Sequence, residues 1–244
     1  MSSYQLRQPS LATFSDAMLA PSLLGALSSS NVESALVERA PGVFEFELFT
    51  EETCHRWLRE LHAFEHHCRR NNLLPTRPNS MNAYGVVLSE LGLEYAMDDQ
   101  LARCVRPIAK AVLPEHHADT LDHQHSFVVE YSEDGDRSLA LHVDDSEITL
   151  NVCLGWEFDG ASVLFHGVRC DEHRGDPSSI EERFEWTPAP GRALIHAGSN
   201  RHVVSELRSG RRSNLIMWAK SSRRRRAHPE PHVGPLRACP RCPR

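Results

Sequence analysis

The chain has 244 residues, 40% of them apolar and 25% charged, with a formal net charge of −6. That balance suits one folded domain, or a core domain with a small helical partner; it excludes a largely disordered chain and argues against a general nucleic-acid binder. An odd set of seven cysteines without a secreted-domain framework, no signal-peptide start and no apolar run of membrane length point to free thiols in a reducing compartment, cytoplasmic or nuclear, with no membrane partner.

Residues 1–40 carry a Ser/Asn tract and short apolar patches around Leu23 and Leu27, and are expected to form a loosely packed arm with one short helix. From Pro41 the pattern tightens, because Phe44, Phe46 and Leu48 alternate with Glu45 and Glu47 as in a half-buried strand. Thr50 is a candidate N-cap, although Thr53 stands where a capping box needs glutamate or glutamine; Cys54, Trp57, Leu58, Leu61 and Phe64 then recur at helical spacing. A loop at 75–80 follows, and a second helix is expected over 101–113 with Pro107 placed to kink it. Residues 41–122 are thus a strand and helical support region.

The character changes at His123. Short apolar or alternating runs at 126–131, 137–143, 147–154, 162–166, 192–196, 202–207 and 213–218 are separated by turn signals such as Asp134-Gly135, Asp159-Gly160, Pro190-Gly191 and Ser209-Gly210, with a longer polar excursion over 171–185. The pattern predicts a mainly β protein with flanking helices, its core at 123–220 a double-stranded β-helix or jelly roll. A parallel α/β sheet is disfavoured because helical crossovers are missing there. Residues 221–244 form a basic tail containing proline and cysteine.

Within the strand expected at 139–143, the two-residue period sends His142 and Asp144 to one face while Leu141 and Val143 pack on the other. With a distant histidine, His202, they make a facial triad of two imidazoles and a carboxylate, which leaves positions open on an iron(II) ion. A 2-oxoacid can chelate such an ion, and Arg212, across the Ser209-Gly210 turn, can offer its guanidinium fork to a second carboxylate; Asn214 and Trp218 share its face. Asp145 falls on the opposite face from His142, and His196 is a weaker candidate than His202 for the distal ligand. Each of these residues alone reads as ordinary; together they point to catalysis. A jelly-roll binding or scaffold protein with a structural or vestigial metal is the non-enzymatic alternative. A cupin-like dioxygenase is another, and it has no need of Arg212.

Tyr131, His142-Val143-Asp144, Thr149-Leu150-Asn151-Val152, Phe158-Asp159-Gly160, Leu164-Phe165, Gly191, His202, Gly210-Arg211-Arg212 and Trp218, in that order, resemble the 2-oxoglutarate and iron(II)-dependent oxygenases of the prolyl hydroxylase type. Residues Arg77-Pro78-Asn79-Ser80-Met81-Asn82 and Tyr84-Gly85 resemble, within that superfamily, the oxygenase domain-containing protein 2 group. The resemblance implies a dioxygenase acting on a protein side chain, although a small-molecule substrate stays open. It implies His142, Asp144 and His202 as iron ligands and Arg212 as the partner of the distal carboxylate of 2-oxoglutarate. Tyr131 and Asn151 are then cosubstrate-pocket residues, and iron(II), 2-oxoglutarate and O2 are required, with ascorbate an optional reductant. Helices before His123 brace the major sheet in such proteins, while Asn79 to Gly85 could equally shape a substrate opening. Ala161 departs from the second glycine of many relatives, at a point expected not to touch the ligands.

Two features of the tail stay open. Cys239-Pro240-Arg241-Cys242 has the spacing of half a zinc site, with His228 and His232 upstream, and resembles the ending of the same oxygenase group; an exposed thiol pair is the alternative. Arg223 to Arg226 could serve nuclear import, RNA contact or attraction of an acidic peptide, but four arginines without aromatics read first as a solvated terminus. The sequence sets no oligomeric state.

Overall fold

Alternate residues on the long central strands face two different environments, and this division builds the layers of the molecule. The computed structural model describes residues 4–227 and 239–242. The strands are β1 (Val37–Ala40), β2 (Val43–Glu47), β3 (Gly85–Val87), β4 (His123–Ser132), β5 (Leu139–His142), β6 (Ile148–Gly155), β7 (Phe158–Gly160), β8 (Val163–Val168), β9 (Arg183–Trp186), β10 (Arg192–Ala197), β11 (Asn200–Val204) and β12 (Leu207–Lys220). The helices are α1 (Pro21–Ser28), α2 (Glu51–Asn71), α3 (Glu94–Gln100), α4 (Arg106–Val112) and α5 (Ser222–Ala227). A major sheet runs β1-β2-β10-β6-β12-β4-β3, with β7 paired to β12, and a minor sheet runs β5-β11-β8-β9. The ladders are antiparallel and the two sheets face each other as a jelly roll, as expected from the sequence.

On β6, Ile148, Leu150, Val152 and Leu154 join Trp57, Leu61 and Phe64 of α2 in the larger core, whereas Cys153 joins the roll interior. On β12, Leu215, Met217 and Ala219 take the helical side, while Ile216 and Trp218 face inward with Phe127, Val129 and Tyr131 of β4. Period-two alternation therefore supplies one apolar face to the helices and a second, more polar face to the space between the sheets. Among the described residues no helix is long and apolar enough to cross a membrane.

The N-terminal arm is not loose. Leu11, Phe14, Met18, Leu19 and Leu23 are buried in the helical core. The buried Glu60 carboxylate on α2 accepts bonds from the Tyr4 hydroxyl (2.5 Å) and from the backbone N–H groups of Arg7 (3.1 Å) and Gln8 (2.5 Å). The apolar residues lie on short 3-10 turns as well as on α1, so they show no single period in sequence. Thr50 does cap α2, accepting from the Thr53 N–H at 3.2 Å, and the Thr53 hydroxyl turns away to the Met18 carbonyl. Pro107 does not break its helix, because a single π-type turn over Leu101–Val105 precedes it and leaves it in the first turn of α4.

The ending of the roll also differs from expectation. Ser209-Gly210 is no turn: β12 runs unbroken from Leu207 to Lys220, and the chain reverses instead at residues 205–206. Gly210 has a φ of 83°, and a Cβ there would stand 2.1 Å from the Glu157 carbonyl oxygen, so only glycine lets β7 approach β12 at that point. Asp159-Gly160 likewise lies in a strand, β7, not in a turn.

Candidate metal centre

Two strands of the minor sheet and the segment after β5 bring three ligand groups together. His142 ends β5, His202 lies on β11, and the pair is directly cross-strand with ring centroids 4.2 Å apart. Asp144 lies beyond the strand rather than within it; its backbone N–H donates to the Gly198 carbonyl at 2.9 Å, which holds the turn against the β10–β11 connection. Leu141, expected to pack, is 53% exposed because β5 is the edge of the minor sheet.

Each histidine is fixed through the nitrogen that faces away from its neighbours. Nδ1 of His142 donates to the Ala140 carbonyl at 2.8 Å, and Nδ1 of His202 donates to the Asn200 carbonyl at 2.9 Å. The proton therefore belongs on Nδ1, and the Nε2 lone pairs stand 3.7 and 3.8 Å from Oδ1 of Asp144. The three ligand atoms lie within 4.8 Å of one another, so they could hold a metal ion. The other carboxylate oxygen, Oδ2, accepts from the Thr149 hydroxyl at 2.7 Å, and Thr149 in turn meets Ser146 at 2.7 Å. Thr149 sits on the inward face of β6 with Asn151, and sequence reasoning assigned it no role; its place five residues after Asp144 on an alternating strand was the available signal.

Burial pushes the His142 imidazole down to about 4, with His202 adding to the shift and Asp144 opposing it. Burial would raise Asp144, but the imidazoles of His202, His196 and His142 and the Thr149 hydroxyl outweigh it and hold the carboxyl below its ordinary range. A neutral imidazole beside an ionised carboxylate is the state a divalent cation requires.

The two decoys are engaged elsewhere. Asp145 pairs with Lys220 and Arg225, each at 2.7 Å, on the opposite side of the chain. His196 is buried edge-on against Phe165 and His202, its Nδ1 on the Ala197 carbonyl, and it is absent from the three-ligand group.

Beside the triad, a pocket opens between the sheets, lined among others by Tyr131, Asn151, Arg212 and Trp218. Arg212 is 1% exposed, yet among the described residues it pairs with no carboxylate. Its Nη1 donates to the Ala161 carbonyl, its guanidinium carbon lies 4.6 Å from the centre of the Tyr131 ring, and its Nε has no partner. Burial lowers its pKa while Tyr131 and Cys153 oppose that shift. Ala161 meets Arg212 through its backbone, from a left-handed φ of 51° in which its carbonyl is turned toward the guanidinium. Asn151 Oδ1 accepts from Asn214 at 2.6 Å, which keeps the Asn151 amide in the pocket wall. Asn79, Met81 and Asn82 also line the pocket, with Asn82 Nδ2 3.4 Å from the Tyr131 hydroxyl, so the loop before β3 belongs to the opening.

Known proteins match this arrangement along most of its length. The OGFOD2-like domain family matches residues 1–118, which includes the N-terminal arm and α2. The chain is 40% identical over 226 residues to the 2-oxoglutarate and iron-dependent oxygenase domain-containing protein ICU11 of Arabidopsis thaliana, covering 91% of this chain and 57% of that protein. It is 30% identical over 253 residues to 2-oxoglutarate and iron-dependent oxygenase domain-containing protein 2 of Mus musculus, covering 99% of this chain and 67% of that protein. The chain belongs to the oxygenase domain-containing protein 2 family. It spans between about half and two thirds of the length of these relatives. The fold matches the non-heme alpha ketoglutarate dependent epimerase SnoN from nogalamycin biosynthesis, with a TM-score of 0.50 at 13% identity, over 80% of this chain and 83% of that one.

The residues present fit the two groups in the family's name. Two Nε2 atoms and one carboxylate oxygen converge as an iron(II) site needs, and a buried, carboxylate-free arginine stands in the adjoining pocket as a dicarboxylate needs.

Proposed function

We propose that this chain is a 2-oxoglutarate- and iron(II)-dependent dioxygenase that hydroxylates a side chain of a protein substrate. The observation that carries the proposal is Arg212, a buried cation beside a metal triad, with an orphaned Nε and no carboxylate partner among the described residues. A buried guanidinium left in that condition costs several kcal/mol, on the order of an unpaired buried charge, unless a ligand completes it. The anionic end of a dicarboxylate does so with a bidentate fork.

His142, Asp144 and His202 would hold iron, which when bound supplies the oxygen and one-electron chemistry that side chains lack. Everything else falls to the chain. Arg212, with Tyr131 stacked beneath it, would fix the distal carboxylate of 2-oxoglutarate, and the Asn151 amide would fix its flank. Thr149 and the Ala140 and Asn200 carbonyls orient the ligands before the metal arrives, so little reorganisation is required on loading.

The lining of the pocket supports a side chain as acceptor. Its rim offers Met81, and nearby Tyr84 and Leu141 are exposed large apolar residues suited to an extended peptide. Incubation with iron(II), 2-oxoglutarate and O2, with ascorbate as reductant, against a peptide library is expected to release succinate and add one oxygen atom to selected peptides. Succinate release unaffected by every peptide, with oxygen added only to small molecules, would overturn the choice of acceptor.

A further inference from the structure

A second group of metal-ligating side chains lies away from the triad, where the polar excursion after β8 meets the C-terminal residues. Cys170, His173, Cys239 and Cys242 place three sulfurs and one ring nitrogen within 4.8 Å of one another. Cys170 Sγ is 3.1 Å from His173 Nδ1 and 3.6 Å from Cys242 Sγ, and His173 Nδ1 is 3.7 Å from both Cys239 Sγ and Cys242 Sγ. A tetrahedral zinc site with Zn–S bonds of about 2.3 Å has ligand-to-ligand edges of about 3.8 Å, so the four atoms already approach the corners of such a tetrahedron. The 3.6 Å separation of the sulfurs is far from the ~2.05 Å of a disulfide, and all these cysteines are free.

Both halves are built alike. Cys170-Asp171-Glu172-His173 is closed by the His173 N–H on the Cys170 carbonyl at 3.1 Å, and Cys239-Pro240-Arg241-Cys242 by the Cys242 N–H on the Cys239 carbonyl at 3.2 Å. Two tight turns, each offering ligands at its first and fourth residues, face each other across 66 residues of sequence. His228 and His232, the upstream candidates from the sequence, lie outside the described residues, and the four-ligand set closes without them.

Charge around the cluster fits the same ion. Zinc with three thiolates and a neutral imidazole is a net monoanion. Arg169 and Arg201 both lie near enough to Cys239 for its negative charge to favour their protonated forms. Arg169 is paired with Glu182, but Arg201, only 8% exposed, donates to the carbonyls of His166, Gly167, Arg174 and Asp176 and, among the described residues, pairs with no carboxylate. A zinc-thiolate centre would supply its counter-charge.

We propose that Cys170, His173, Cys239 and Cys242 form a structural zinc site that fastens the C-terminal segment to the excursion between β8 and β9. Soft thiolates select zinc here while the imidazole-carboxylate triad suits iron, so the two sites sort their metals by ligand type. Arg201 neighbours His202 on β11, so the clasp also backs the strand that carries a triad histidine.

The test uses the full chain carrying Asp144→Ala, which removes the triad as a competing site. After purification without added metal, elemental analysis should find about one zinc per chain. Replacement by cobalt(II) should produce intense thiolate-to-cobalt charge-transfer absorption together with tetrahedral ligand-field bands. The Cys239→Ser/Cys242→Ser variant should fall below about one tenth of that zinc, whereas His228→Ala/His232→Ala and the ligand-preserving His173→Cys should keep it. The cobalt spectrum needs no ligand substitution and so stands even where a cysteine variant fails to fold. Absence of zinc together with no thiolate-to-cobalt band, or a band unchanged in the folded double-serine variant, would overturn the site.

Discussion

At the scale of single residues, the structure separates groups that could hold a metal from groups that orient them. Thr149 donates to Asp144 Oδ2, and without that bond the carboxylate is free to turn its Oδ1 away from the two imidazoles. Thr149→Val is therefore expected to fold normally and to weaken iron(II) binding by about 10- to 100-fold, measured by competition with a chelating indicator. Asp144→Ala should abolish iron binding in the same assay; equal affinity in that variant and the parent chain would refute the ligand assignment. Arg212→Lys keeps the charge but loses the planar fork, so 2-oxoglutarate affinity should fall while iron affinity stays within about a factor of two.

Legibility in the sequence followed the same division. His142, Asp144, His202 and Arg212 stand out because a two-residue period and a familiar ligand chemistry single them out. Thr149, Asn82 and the Ala161 carbonyl do not, since their roles depend on where a turn delivers a hydroxyl, an amide or a backbone oxygen. Arg224 and Arg225 mislead for the same reason: the run reads as a solvated terminus, but their carboxylate partners, Asp145 and Glu147, lie almost 80 residues earlier.

At the scale of elements, the N-terminal arm depends on one buried carboxylate. Glu60→Ala should release the bonds to Tyr4, Arg7 and Gln8 and cost on the order of 2–3 kcal/mol, visible as new proteolytic cleavage within the first dozen residues. Unchanged protease resistance would show that apolar packing alone secures the arm. The excursion between β8 and β9 relies on the buried Arg169–Glu182 pair, whose contacts are 2.5 and 2.9 Å. Arg169, above all, pulls the Glu182 carboxyl down to about 2 from its usual 4.5, against the opposing effect of burial. A depressed folded-state pKa stabilises the protein fully above the unfolded value, so this contribution should be intact above about pH 5 and fade as the pH falls toward about 2. The difference in unfolding free energy between the parent chain and Glu182→Gln, on the order of 2 kcal/mol near neutrality, should shrink by pH 3. A difference that stayed constant would mean that the pair does not titrate as described.

At the scale of the whole molecule, the alternating strands foretold a jelly roll, but not how its parts are tied together. β12 was legible only as two pieces, because Gly210 looks like a turn until the closeness of the Glu157 carbonyl shows it to be a crossing point. The arm was expected to be loose because of its Ser/Asn tract and short apolar patches, and only α2 and the major sheet reveal the surface those patches fill. The result is a helical layer on one side of the major sheet, a minor sheet on the other, and between the sheets a pocket in which His142 and His202 of the minor sheet, with Asp144 just beyond β5, face Arg212 of the major sheet.

That opposition is the central claim, and anaerobic titration tests it most directly. Purified chain is loaded with iron(II) and then titrated with 2-oxoglutarate while the weak visible metal-to-ligand absorption of the chelate is followed. The account predicts a saturable band in the parent chain, a band requiring much more 2-oxoglutarate in Arg212→Ala, and none in Asp144→Ala. A folded, iron-loaded parent chain that develops no band at any 2-oxoglutarate concentration would contradict it.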